Sequence, residues 1–208
     1  MRMMSAFALA AYLAGSAGAL ASSPAPVPSA AGAPPQQDVR GIWKQKKFSF
    51  QFMGFTSTYS CDGLAHQLRT LLLAAGARSD LKAQPGVCAT GFDRPDKFAS
   101  ADLTFYVLVP ADTVASTSEP AAATGDGEPG AWVSIEIAAH KPMEISTGDC
   151  ELVDQFRTQV LPLLTIRHVE NHTSCIPHQD SGSNIELRFE SFTAPKARSH
   201  GAGKAVPH

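Results

Sequence analysis

The stretch CDGLAHQLRTLLL opens at Cys61, and CELVDQFRTQVL opens at Cys150, 89 residues further on. A chain that writes one amphipathic helix twice, each time behind a cysteine, is constrained to a fold with two like parts. Aligned without gaps, Leu64–Leu73 and Leu152–Leu161 share Leu64/Leu152, Gln67/Gln155, Arg69/Arg157, Thr70/Thr158 and Leu73/Leu161. Leu64, Leu68, Leu71, Leu72 and Ala75 form one helical stripe. Leu152, Val153, Phe156, Val160 and Leu163 form the other. Asp62 and Asp149 suit an N-cap or a first turn. Gly76 and Pro162 suit the two ends.

The flanks repeat as well. Phe48, Phe50 and Phe52 alternate before the first helix, and Val133, Ile135 and Ile137 before the second. Short extended stretches follow each helix, Arg78–Ala83 and Ile166–Val169. Alternating runs then close each part: Leu103, Phe105, Val107 and Val109, and later Ile185, Leu187 and Phe189. Each part reads β-α-β-β. Strands with one apolar face need a cover, and an amphipathic helix supplies it. The expected fold is α+β: two tandem units forming a mainly antiparallel sheet with two helices on one face. One unit alone, at roughly 60–70 residues, has a marginal core, so the two are expected to pack together.

The four cysteines fit this scheme. Three connectivities are open. Spacings of 27 and 25 residues, repeated unit by unit, favour Cys61–Cys88 and Cys150–Cys175. Each loop so closed contributes on the order of 3 kcal/mol in the chain-entropy model.

The ends address compartment. Arg2, an apolar run over Ala6–Leu13 and Ala19-Leu20-Ala21 read as a secretory signal peptide, residues 1–21. The run is too short for a membrane span, and no later stretch is long enough. An exported chain carries its cysteines as disulfides. Residues 22–40, opening SSPAPVPSAAGAPPQQ, read as a Pro/Ala/Ser-rich flexible linker, and 194–208 as a disordered basic tail. Between them, 41–193 reads as one domain of two pseudo-repeats, 41–110 and 131–193, joined by a mobile loop over 111–130. A net charge of −2 argues against nucleic acid.

The combination YSCDGL…LLLAAGAR with GDCELVDQF…VLPLL…C resembles a group of uncharacterised exported, periplasmic proteins of Gram-negative bacteria. The resemblance spans residues 42–192. It implies a periplasmic location and carries over no functional residue, since its motifs are cysteines, helix faces and caps.

Chemistry is sparse. The chain has no phosphate-binding glycine loop, no nucleophile elbow and no HExxH. FTSTYS lacks a neighbouring base. His168, His172 and His178 cluster around Cys175, and two imidazoles with a further histidine or Asp180 form a candidate zinc or copper site. Surface histidines beside an oxidised Cys175 are the plainer reading, because the matching stretch LKAQPGVCATG has none. Lys44, Lys46 and Lys47 beside Trp43, with Lys196, Arg198 and Lys204 in the tail, read as solubilising charge or as contacts to an anionic surface. Asn171-His172-Thr173 matches a glycosylation acceptor, an accidental match in a bacterial chain. The expectation is a non-catalytic exported module for binding or envelope structure, without cofactor. A periplasmic metal-binding protein is the alternative. Convergence of Arg69, Arg157, Asp62 and the three histidines in one pocket would favour the metal reading or an enzyme.

Overall fold

A computed structural model describes residues 39–88, 94–114, 127–176 and 182–195. The first strand, β1, runs over Val39–Met53, and the first helix, α1, over Cys61–Ala74. Then come β2 (Lys82–Pro85), β3 (Phe98–Pro110) and the one-turn α2 (Ala111–Val114). β4 (Glu128–Ala138) leads through a 3-10 turn at Thr147–Asp149 into α3 (Cys150–Gln159). A second 3-10 turn, Leu161–Leu163, precedes β5 (Ile166–Asn171) and β6 (Glu186–Thr193).

The six strands form an antiparallel sheet in the order β2-β3-β1-β4-β6-β5. The α+β class is as the sequence predicts. The sheet is narrow at its middle: β1 meets β4 only through Val39–Gly41 against Glu128–Gly130. On either side of that corner the strands diverge, β1 along β3 and β4 along β6.

Both helical stripes feed one core. Leu64, Leu68, Leu71 and Leu72 of α1 are fully buried, as are Leu152, Val153 and Phe156 of α3. They join Phe50 and Phe52 of β1, Leu103 and Phe105 of β3, and Leu187 and Phe189 of β6 in one cluster. Each such side chain stabilises the fold by about 1.5–3 kcal/mol. Ser60, not Asp62, caps α1: its hydroxyl accepts from the Gly63 N–H at 3.1 Å, and Asp62 sits in the first turn. Gly76 follows the C-cap of α1 at φ 94°, a left-handed conformation that favours glycine. Cys61 and Cys88 lie at disulfide distance, with Cα atoms 6.2 Å apart. So do Cys150 and Cys175, with Cα atoms 5.6 Å apart.

Boundaries differ from expectation where tertiary pairing overrides local pattern. β1 begins at Val39, inside the stretch read as linker, because its ladder with β3 starts at Gly41 and that with β4 at Val39. The strand predicted over Arg78–Ala83 starts later, at Lys82. Before it, Leu81 N–H donates to the Arg78 carbonyl and Arg78 grips Asp80, closing a turn. The stretch predicted as one loop over 111–130 carries α2 at its start and the first residues of β4 at its end; residues 115–126 lie outside those described. The linker below Val39, the signal stretch and the tail beyond Pro195 also lie outside them.

Candidate functional site

A groove of about 440 Å³ lies between the C-terminal half of α1 and β4. Leu73, Ala74, Val133 and Ile135 form its apolar floor, and Trp43, Arg78 and Glu128 stand at its rim. The rim polar groups are engaged with one another. Arg78 Nε and Nη2 donate to the two Asp80 oxygens at 2.8 and 2.7 Å, a bidentate fork. Trp43 Nε1 donates to Glu128. The Arg78 guanidinium lies 3.8 Å from the Tyr106 ring centroid and 5.4 Å from that of Trp43. Arg78 holds the Asp80 carboxyl below its ordinary range through this hydrogen bond.

A second hollow of about 330 Å³ opens at the corner, lined by Gly130, Trp132, Arg167, Glu190 and Phe192. Here the Arg167 guanidinium sits 4.2 Å from the Trp132 centroid and bonds Glu190 at 2.5 Å. That bond lowers the Glu190 pKa. Trp43 and Trp132 are 89 residues apart, and so are Arg78 and Arg167. The sequence reading missed this recurrence. It matched the helices at an offset of 88 residues, because Cys61 stands one residue further from Leu64 than Cys150 does from Leu152. Counting from the cysteines recovers it.

A polar seam joins the loop after β1 to the start of α3. The Tyr59 phenol donates to Asp149, which is 6% exposed. The other Asp149 oxygen accepts from the Ser146 N–H at 2.7 Å and its hydroxyl at 2.8 Å. Burial, and then the hydrogen bond to Asp149, raise the Tyr59 pKa far above the ordinary tyrosine range. Glu151, in the first turn of α3, accepts from the N–H groups of Phe55 and Thr56 at 3.0 Å and Ser57 at 3.2 Å. Ser57 of FTSTYS donates its hydroxyl to the Gly148 carbonyl at 2.6 Å, which makes it a tie between segments.

Two of the three predicted histidines, His168 and His172, lie among the described residues. His168 has φ 53° at the bulge between Arg167 and Glu170, which breaks the two-residue alternation that would put it on one face with His172. His168 Nδ1 lies 3.4 Å from Glu190, while the His172 backbone pairs with Glu186 and Asn184. Cys175 is paired with Cys150. His178 and Asp180 lie outside the described residues. Among the described residues, no group of three or more His, Cys, Asp or Glu stands close enough to hold a metal ion.

The remaining candidates do not meet in these grooves. Asp62 and Arg69 are exposed on α1, and Arg157 pairs with Asp154 on α3 at 2.8 Å. Lys44 and Lys46 are half-buried on β1, and Lys47 is exposed. Among the described residues no helix is long and apolar enough to cross a membrane. No family model matches the chain, and neither a curated protein nor a solved structure matches it.

Proposed function

We propose that this chain is an exported, non-catalytic module of the bacterial envelope, built from two tandem β-α-β-β units and binding an apolar group of an envelope component in the α1–β4 groove. Cysteine pairs at disulfide distance fit an oxidising compartment outside the cytoplasm, in keeping with the signal-like start. The tandem reading is supported by the order of pairing: β2-β3-β1 on one side of the corner and β4-β6-β5 on the other. Equivalent side chains support it too, with an arginine over a tryptophan in each unit.

The observation that carries the binding reading is the groove itself. Its floor is aliphatic, and at its rim Arg78 is paired with Asp80 while Glu128 accepts from the Trp43 indole. A site of that kind suits contact with an apolar chain or side chain. The test is co-sedimentation of the mature protein with isolated outer membranes and with peptidoglycan sacculi, comparing wild type with Ala74→Trp, which fills the groove. Retention of the wild type on one fraction, weakened about tenfold or more in Ala74→Trp, is expected. Passage of the wild type through both fractions, or equal retention of the variant, contradicts the reading.

A further inference from the structure

One end of the sheet carries a cluster of exposed apolar side chains. Met53 ends β1 and faces Phe98, the first residue of β3, across the ladder. Val87 follows β2 and shares a hollow of about 330 Å³ with both. Phe55 lies just past Met53, beside Lys97, whose carbonyl accepts from the Gly54 N–H at 2.8 Å. Met53 is 59% exposed, Phe55 69%, Val87 85% and Phe98 58%. Single exposed apolar residues need no explanation, but a cluster of four marks a contact surface. The architecture does not itself require it. Met53, Phe55 and Val87 stand ahead of Cys61 and Cys88; at the same distances ahead of Cys150 and Cys175 stand Pro142, Glu144 and Ser174, with Met143 exposed between the first two.

The backbone of this end is satisfied from within. Every N–H from Met53 to Ser57 is paired inward: Met53 to Gln155 at 3.0 Å, Gly54 to the Lys97 carbonyl, and Phe55, Thr56 and Ser57 to the Glu151 carboxylate at 3.0–3.2 Å. Val87 bonds the Ser100 hydroxyl through its N–H at 2.7 Å and its carbonyl at 3.0 Å. Phe98 N–H donates to the Asp96 carboxylate at 3.1 Å. An added strand would find no N–H to bond here. A bilayer asks for the opposite, with backbone groups paired inside the chain and apolar side chains outside. Behind the tip, the same face of the sheet passes through the uncharged Gln51, Ser100 and Ser49. Its first carboxylate is that of Asp102, about 13 Å back from Phe98 along β3. Arg94 and Lys97 beside the tip are matched in number by Asp96 and by Asp62, next to Cys61 and so to its pair Cys88.

We propose that this end of the sheet docks on the surface of a phospholipid bilayer. Met53, Phe55, Val87 and Phe98 enter the boundary between headgroups and acyl chains, about 5–10 Å deep, and carry no unpaired N–H with them. Gln51, Ser100 and Ser49 then lie at headgroup level, and Asp102 stays in water. Burial of apolar surface drives the contact, because the flanking charges balance. Phosphatidylcholine therefore suffices, and anionic lipid adds little. Four side chains make a reversible contact, far short of an inserted span. The surface is separate from the α1–β4 groove and does not depend on what that groove binds.

The test is co-sedimentation of the chain from residue 22 onward, disulfides intact, with phosphatidylcholine vesicles up to about 1 mM lipid. The wild type should bind, and equally so with about 30% phosphatidylglycerol or with salt raised from about 0.1 to about 0.5 M. Phe55→Ser combined with Val87→Ser should weaken binding about tenfold or more while leaving the melting curve in place. Ala74→Trp, in the groove, should bind as the wild type does. Lipids brominated on the acyl chain should quench the added indole of Phe55→Trp. They should leave the wild-type fluorescence unchanged, since Trp43 lies about 30 Å away along β1 and Trp132 at the corner. No binding to either vesicle overturns the proposal. So does binding that needs phosphatidylglycerol and fails in salt, binding untouched by the double substitution, or binding lost in Ala74→Trp. A doubled molar mass without lipid, abolished by Phe55→Ser with Val87→Ser, overturns it too, because a second copy then covers this surface.

Discussion

The phenol of Tyr59 donates a hydrogen bond to the carboxylate of Asp149, tying the loop before α1 to the N-cap of α3. Tyr59 also stands edge-on to Phe52, with ring centroids 4.8 Å apart. The pair therefore joins the apolar core to the polar seam. Tyr59→Phe keeps the ring packing and removes one partner of a buried carboxylate. We expect it to lower stability by about 1–3 kcal/mol, read from urea midpoints at constant m-value.

The same geometry has an alkaline signature. The folded state holds the Tyr59 proton more tightly than the unfolded chain does. Its contribution is therefore complete below the unfolded tyrosine pKa of about 10 and declines as pH rises above it. In a titration followed at 295 nm, Tyr59 should ionise only as the fold is lost. Tyr59→Phe should remove that late, cooperative step. A tyrosine that titrates reversibly near its ordinary value in the Tyr106→Phe variant of a chain lacking residues 1–21, and so lacking Tyr12, would contradict this.

Close approach at the corner makes a second expectation. A Cβ on Gly130 would lie 2.4 Å from Phe192 Cζ and 2.8 Å from Leu108 Cδ2. A Cβ on Gly41 would lie 2.6 Å from Leu108 Cγ. Gly130→Ala should destabilise by about 1–3 kcal/mol through overpacking. Combined with Phe192→Leu, the loss should fall short of the sum of the single losses by about 0.5 kcal/mol or more, measured in a double-mutant cycle.

Gln67 and Gln155 are the same position of the two matched helices, yet their substitutions should differ. Gln155 brackets Met53, accepting from its N–H at 3.0 Å and donating to its carbonyl at 2.8 Å. Among the described residues Gln67 makes one long contact, to the Glu144 carbonyl at 3.4 Å, and its buried Oε1 has no partner. Gln155→Ala should cost about 1–3 kcal/mol and speed exchange of the Met53 amide. Gln67→Met, which removes an unsatisfied oxygen, should be near neutral.

Much of the fold was legible because it is written in local periodicity. The stripe Leu64-Leu68-Leu71-Leu72 and its match at Leu152-Val153-Phe156 are buried as read. The alternation of Leu103 with Phe105, and of Leu187 with Phe189, marks strands that the sheet contains. What escaped is non-local. Nothing near Gln155 announces that it serves the backbone of Met53, 102 residues away. The groove depends on Leu73 and Val133 approaching across the sheet, and the arginine–tryptophan stacks on chain reversal after each helix. The bulge at His168, which takes a positive φ, is likewise invisible to a reading by two-residue alternation.

The account rests on two matched units, each closed within itself by its own cysteine pair. Peptide mapping of the unreduced protein tests this directly. We predict one crosslinked peptide joining Cys61 to Cys88 and another joining Cys150 to Cys175. Peptides linking Cys61 or Cys88 to Cys150 or Cys175, or thiols free throughout, would contradict it.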